Sequence, residues 1–212
     1  MVTTRKWYAT NPDGLDHGTY MNASYRHYDD SRFVMVGDYR DQTMIGNQHD
    51  DVLIGFGGSE LVGFGGSDSF EGGAGDDVFV VDEDDIFNDP INDDQYGYEM
   101  DGGRGNDTIK LAEDADFDNW IELSVDEGAH YETHDVENAI GNDQNNLLSA
   151  DGSGTTENLI AGRGGDDRLH GYGGDDVLIG GAGNDEMKAG AGDDTVVVEG
   201  DDDLADRVRG GP

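Results

Sequence analysis

Gly171-Tyr-Gly-Gly-Asp-Asp-Val-Leu-Ile179 is followed at once by Gly180-Gly-Ala-Gly-Asn-Asp-Glu-Met-Lys188. Both stretches follow a nine-residue beat, Gly-Gly-x-Gly-x-Asp-x-U-x, in which U is a large apolar residue. Counting outward in nines gives eleven units. The first block holds 45–53, 54–62, 63–71 and 72–80, then 102–110 after an interruption. The second holds 141–149 and, after three extra residues, 153–161, 162–170, 171–179, 180–188 and 189–197. The sixth positions are Asp50, Ser59, Asp68, Asp77, Asp107, Asn146, Asn158, Asp167, Asp176, Asp185 and Asp194. The eighth are Val52, Leu61, Phe70, Phe79, Ile109, Leu148, Ile160, Leu169, Leu178, Met187 and Val196, all apolar. Glycine richness alone would not keep one position apolar throughout.

Each position has a physical task. Glycines at positions one, two and four admit positive φ and close backbone approach, so six residues can close a tight turn. Its carbonyl oxygens then face one centre instead of joining a ladder, and the sixth-position Asp adds a charged oxygen. Positions seven to nine form a very short strand with U facing inward. Two nonapeptides make one 18-residue coil, and coils stack as parallel strands about 4.8 Å apart. The fold class predicted is all-β, a parallel β-roll (right-handed β-solenoid) of roughly five or six coils.

One turn offers too few oxygens for a hard cation. Two turns 18 residues apart offer about six, the number calcium accepts at roughly 2.3–2.6 Å, whereas magnesium holds its waters and fits such a cage poorly. The cofactor expected is Ca²⁺, several ions per chain. The strongest pairs are 162–167 with 180–185 and 171–176 with 189–194. They make Gly162, Gly164, Asp166, Asp167, Gly171, Gly173, Asp175, Asp176, Gly180, Ala182, Asn184, Asp185 and Asp194 the leading metal-site residues. Asp50, Asp68, Asp77 and Asp107 serve the first block. Pairs 45–50 with 63–68 and 54–59 with 72–77 are weaker, because Ser59 has no carboxylate. The neutral Asn158 makes 153–158 with 171–176 intermediate.

The totals agree with a cation-dependent fold. A formal net charge of -37, 35 glycines and 34% hydrophobic residues place the chain where sequences stay disordered. Self-repulsion adds to that tendency. Cysteine is absent, which removes disulfides and thiolate metal sites. No apolar stretch approaches membrane-spanning length, and Met1-Val-Thr-Thr-Arg-Lys-Trp has no signal-peptide core. An acidic chain repels phosphate, so nucleic acid is not an expected partner.

The repeats resemble the RTX (repeats-in-toxin, haemolysin-type) calcium-binding family over about half the chain. Asp135-Val-Glu-Asn-Ala-Ile-Gly-Asn-Asp143 is similar to the way such blocks begin. The resemblance implies a roll that is unfolded without calcium, export by type I secretion machinery, and folding outside the cell. It implies a secreted, extracellular folding and secretion module of an exported protein. Units 54–62, 141–149 and 153–161 depart from the family pattern.

The remaining segments are read more simply. Residues 1–44 carry five of the twelve basic residues and are an N-terminal cap or the remnant of an upstream domain. The first block, 45–110, contains an acidic insertion at 81–101. Residues 111–140 form a non-repeat β excursion around Trp120-Ile-Glu-Leu-Ser-Val125, ahead of the second block at 141–197. Residues 198–212 are a C-terminal cap or a truncation point. No catalytic constellation emerges. His130-Tyr-Glu-Thr-His134 has its Glu displaced from the zinc-protease spacing, and the chain is not read as an enzyme. The alternative function is an extracellular polysaccharide-binding or adhesin module, with Arg104, Lys110, Arg163, Arg168 and Lys188 meeting an acidic, alginate-like glycan. An ice-binding row of Thr or Asn is absent from the third positions.

Overall fold

The computed structural model describes residues 3–8, 20–22, 31–37, 42–46, 51–55, 57–63, 68–81, 98–113, 119–122, 131–150, 155–198 and 206–211. Among them every regular element is a β-strand, and the strands lie in parallel sheets. The fold is the all-β, parallel β-roll that the period of nine predicts. Parallel neighbours require a crossover. Here the crossover is a tight turn, a strand of the opposite sheet and a second turn. No helix among the described residues is long and apolar enough to cross a membrane.

The chain divides into two compact units, Met1–Thr108 with Asp126–Val136, and Ile109–Val125 with Glu137–Pro212. Strands are numbered in chain order. In the first unit one sheet runs β1 (Thr3–Tyr8), β3 (Ser31–Val36), β5 (Val52–Ile54), β7 (Ser69–Ala74), β9 (Tyr98–Arg104) and β12 (Tyr131–His134). The other runs β2 (Tyr20–Asn22), β4 (Gln42–Ile45), β6 (Ser59–Val62) and β8 (Val78–Val81). Phe33, Met35, Leu53, Phe70 and Met100 from one sheet and Met44, Leu61 and Phe79 from the other are buried. The rings of Phe70 and Phe79 meet across the interior with centroids 5.7 Å apart.

In the second unit one sheet runs β10 (Thr108–Leu111, of which Ile109 onward belongs here), β13 (Asn138–Ile140), β15 (Leu159–Gly164), β17 (Val177–Ala182) and β19 (Thr195–Val197). The other runs β11 (Asn119–Glu122), β14 (Asn146–Ser149), β16 (Arg168–His170), β18 (Glu186–Lys188) and β20 (Arg207–Arg209). Ile160 and Leu178 face inward from the first, Leu148, Leu169 and Met187 from the second. The strands at the heart of the repeats bury the central residue of x-U-x and leave its neighbours more exposed. This makes a core one side chain thick.

Three observations revise the count in nines. Asp50 lies outside the described residues, and the register around it puts Asp51, not Asp50, in the sixth-position role. Asp51 is buried and its Oδ1 accepts from Phe33 N at 2.7 Å, while Asp51 N donates to Asp68 Oδ1 at 2.6 Å. Leu53 is buried and pairs with Phe70, so it replaces Val52 as the inward residue. The cause is an eight-residue unit at 55–62. Gly55 abuts the Gly72 carbonyl as first glycines do, yet Ser59 comes only four residues later.

Second, the coil pattern reaches beyond the glycine-rich units. β3 pairs with β5 and β4 with β6, so 31–36 and 42–45 already follow the stacking of the first block. In the second unit Ala139 pairs with Ile160, and Ile121 with Leu148, so strands within 111–140 lie in register with the repeats. Third, β20 pairs with β18, which puts Val208 beside Met187. The acidic insertion has Val81 inside β8 and Tyr98 inside β9, and 82–97 lie outside the described residues. Register resumes with Gly73 opposite Gly103 and Ala74 opposite Arg104.

Gly181, at position two of its unit, is held to glycine by both its backbone and the neighbouring coil. Gly181 has φ 102°, and a Cβ there would strike the backbone of Arg163 one coil earlier. Gly164, at position three, would place its Cβ no closer than 3.5 Å to Asp143. Gly181→Ala is therefore expected to lose more than the about 1–2 kcal/mol of a left-handed L-residue. Gly164→Ala should change stability by under about 1 kcal/mol. Urea unfolding in saturating calcium measures both, and equal losses would refute this placement of the glycines.

Candidate metal centre

The turns of units 72–80, 102–110, 162–170, 171–179, 180–188 and 189–197 share a conformational signature. Position two is left-handed at Gly73, Gly103, Arg163, Tyr172, Gly181 and Gly190, and position four at Gly75, Gly105, Gly165, Gly174, Gly183 and Gly192. Two non-glycine residues, Arg163 (φ 84°) and Tyr172 (φ 64°), accept this conformation. Positions two and three still pair with the neighbouring coil, as Arg163 with Gly181 and Gly164 with Ala182, so the expected escape of the turn from the ladder is not seen there, while the sixth side chain comes back over the first glycine.

That side chain connects successive coils alongside the backbone ladders. Asn146 N donates to Asp167 Oδ1 at 2.7 Å, Asp167 N to Asp185 Oδ1 at 2.9 Å, and Asp185 N to Asp206 Oδ1 at 3.0 Å. A second rail has Asn158 N on Asp176 Oδ1 at 3.0 Å and Asp176 N on Asp194 Oδ1 at 3.1 Å. In the first unit Ser59 N donates to Asp77 Oδ1, and Asp77 N to Asp107 Oδ1. The sixth-position carbonyl is used as well, since Val177 N donates to Asn158 O and Glu186 N to Asp167 O. It is therefore committed to the ladder.

The other carboxylate oxygen has a different fate. Oδ2 of Asp167 and of Asp176 is buried and accepts no hydrogen bond. Each lies against the first glycine of its own unit, Gly162 or Gly171, and the next coil's first carbonyl closes the same space. The arrangement recurs in the first unit, where a Cβ on Gly72 would lie 2.6 Å from Asp77 Oδ2 and 2.7 Å from Gly102 O. Burial pushes the Asp167 carboxyl up to about 8, helped by the negative charges of Asp185 and Asp166 and opposed by the Asn146 N–H. Asp176 is raised too, chiefly by burial, with Asp194 and Asp175 adding repulsion against the Asn158 N–H. A buried carboxylate oxygen without donor or counter-charge is costly.

These residues fit a hard cation. An anionic oxygen lacking donors faces a carbonyl oxygen of the adjacent coil, and glycine leaves the space between them open. Oxygen donors of this kind suit calcium. Among the described residues no three His, Cys, Asp or Glu side chains cluster to hold an ion. An ion held here would therefore draw on backbone oxygens together with the carboxylate of the turn.

The sequence-derived residues separate by position. Gly162, Gly171 and Gly180 are first-position neighbours of the Oδ2 atoms of Asp167, Asp176 and Asp185. Asp68, Asp77 and Asp107 hold the same buried place in the first unit, and Asp194 is half-buried in the second. Gly164, Gly173 and Ala182 fall at position three. The fifth-position residues Asp166, Asp175 and Asn184 are exposed, and the carboxylates of Asp166 and Asp175 join an outer rail. Asp166 N donates to Asn145 Oδ1 at 2.7 Å, Asn184 N to Asp166 Oδ1 at 3.0 Å, and Asp193 N to Asp175 Oδ1 at 2.8 Å. The Asp166 and Asp175 carboxylates are thereby engaged on the outer rail. Counting missed Asp51 and Asp206. The signal for Asp206 is the surviving Asp-x-U-x of Asp206-Arg-Val-Arg209, which lacks the glycines that make a unit conspicuous.

The cations are distributed elsewhere. Arg163 hydrogen-bonds Glu113, which lowers the Glu113 carboxyl and raises the guanidinium, and Lys110 stands 3.8 Å from the same carboxylate. Arg168, Lys188 and Arg209 surround Glu186 at 3.7–4.0 Å. Such exposed pairs contribute little individually.

The RTX calcium-binding nonapeptide repeat matches the chain in four copies, over residues 62–85, 99–117, 152–187 and 171–205. No curated protein matches it. The matched segments contain Asp68, Asp77, Asp107, Asp167, Asp176, Asp185 and Asp194.

The raised Asp167 value fixes a pH dependence. An exposed aspartate releases its proton near 4, whereas the folded metal-free turn holds one up to about 8. The folding penalty is absent below the lower value, grows as pH rises between them, and is complete above the upper. In chelator the β signal in far-UV circular dichroism is expected to increase as pH falls from 8 toward 4. Asp167→Asn should flatten part of that rise, and an unaltered slope in the variant would remove Asp167 from the account.

Proposed function

Because the chain carries the RTX calcium-binding nonapeptide repeat within a β-roll, we propose that it is a calcium-driven folding module of an exported protein. The observation that carries this reading is the buried, donorless Oδ2 of Asp167 and Asp176. Bound calcium supplies positive charge and coordination at those oxygens. The chain's own residues do the rest. The first glycine leaves room beside Oδ2, the left-handed second residue directs the turn, and Oδ1 fixes the carboxylate to the preceding coil.

Without a cation the buried aspartates repel one another within a chain of net charge -37, and the thin core of U residues offers little to offset that repulsion. With the charge neutralised, each inward side chain gains a neighbour above and below. A turn's oxygens are completed by the next coil, so binding and folding reinforce one another. The affinity expected of extracellular calcium modules, roughly 10⁻⁴–10⁻³ M, suits a chain that stays expanded inside a cell and closes after release. Type I export and an extracellular location follow as proposals from the repeat family. Acidic-glycan binding is less well supported, because Lys110 and Arg163 engage Glu113 while Arg168 and Lys188 engage Glu186.

Far-UV circular dichroism during calcium titration, with chelator reversal and magnesium as control, tests the proposal. A cooperative, reversible and calcium-selective gain of β signal is expected. A chain equally structured in chelator would overturn it. Asp176→Ala and Asp185→Ala should raise the calcium midpoint several-fold. Asp206→Ala should also raise it, although Asp206 lies beyond the matched repeats, and Asp51→Ala should exceed Asp50→Ala.

A further inference from the structure

Both inner rails of the second unit pass from asparagine to aspartate. One reads Asn146, Asp167, Asp185, Asp206, and the other Asn158, Asp176, Asp194. The change is more than the loss of a charge. Asn146 Oδ1 occupies the place against Gly141 that Asp167 Oδ2 occupies against Gly162. Yet it accepts a hydrogen bond from Asn142 N at 2.9 Å. The amide end, Asn146 Nδ2, lies 3.2 Å from Asn142 Oδ1, and Asn142 Nδ2 donates to Ala112 O at 3.0 Å. On the second rail Asn158 Nδ2 donates to Glu137 O at 2.6 Å. The preceding strand joins in, as Asn138 Oδ1 accepts from Leu159 N.

Backbone conformation explains how the Asn146 oxygen is satisfied. Position two is left-handed in the aspartate units, at Arg163, Tyr172 and Gly181, but Asn142 does not take positive φ. Its N–H is thereby turned onto the side-chain oxygen four residues ahead. In the neighbouring aspartate units the corresponding oxygen is left to a cation. An amide supplies both an acceptor and two donors, so it can close such a turn without any ion.

We propose that Asn146 and Asn158 stand in for the cation at the head of each rail, making 137–149 and 158–161, with Ala112, a metal-free platform for the calcium-dependent coils. The idea rests on the calcium-driven folding reading and adds a direction to it. Ordered platform strands present β14 to β16 and β15 to β17, the pairs already seen as Leu148 with Leu169 and Ile160 with Leu178. The first aspartate coil then docks on existing structure, and nucleation is no longer required of a chain that repels itself. Partial order of this kind is what local stability differences permit.

The test is amide hydrogen exchange on the full chain, in chelator and in calcium. In chelator, protection is expected within 138–149 and 158–161, at least about tenfold above that of 177–188. Calcium should then protect both regions. Equal, negligible protection of the two in chelator, with protection of both in calcium, would overturn the platform while leaving calcium-driven folding intact. Uniform strong protection in chelator would overturn both readings. Asn146→Asp and Asn158→Asp provide the second arm. Each is expected to abolish the chelator-state protection and retain the calcium-bound fold. Persistence of that protection in the aspartate variants would show that the amides do not replace the ion.

Discussion

The sixth-position side chain binds one coil to the next. Asp167 shows its full use. Its N–H and carbonyl both go to the following coil, while Oδ1 receives the N–H of the preceding one. Three of its four polar functions are thus consumed by stacking. The last, Oδ2, is buried with no donor. A carboxylate is required because an acceptor is needed on one side and a ligand on the other. Where the sixth residue is aspartate, stacking therefore leaves one carboxylate oxygen in need of a positive charge.

The second residue of the turn sets how that requirement is met. A left-handed conformation at Gly181 or Tyr172 goes with an aspartate at position six; the ordinary conformation at Asn142 goes with an asparagine whose oxygen is already bonded. The candidate metal centre is thus formed by a six-residue turn and its neighbour. It is not a cluster of acidic side chains, which agrees with the absence of any such cluster among the described residues. Acidic composition supplies repulsion; backbone handedness accompanies the places where a carboxylate oxygen is left without a donor, as at Asp167 and Asp176.

Much of this was legible in the chain itself. The interval of nine, the apolar eighth position and the Asp at position six led to a parallel roll with coils 18 residues apart, and Asp167 stacks on Asp185 at that spacing. What escaped counting has physical causes. The unit at 55–62 has eight residues, so counting in nines shifted the frame from Asp51 to Asp50. Strands 31–36, 42–45 and 138–140 lack the glycine pairs, because hydrophobic pairing within a sheet tolerates turns of other composition. Asp206 follows Asp185 after 21 residues, and only Asp-Arg-Val-Arg survives of its unit. The neutral Asn146 and Asn158 read as weakened sites, whereas their amide hydrogens fill a role that only the three-dimensional contacts disclose.

The two rails run in opposite senses, and this shapes how the roll holds its register. On the inner rail a side-chain oxygen accepts from the coil before it, as Asp185 does from Asp167. On the outer rail it accepts from the coil after it, as Asp166 does from Asn184. Sliding one coil past another would break both sets at once, so the pair of rails specifies register more strictly than either alone. The outer rail is exposed, and water competes for its bonds, leaving it a small net worth. The inner rail is buried, where bonds to charged groups are stronger but the unneutralised carboxylate costs more than they return. Register is therefore encoded by both rails, while the inner one carries the electrostatic cost that the proposed cation would relieve.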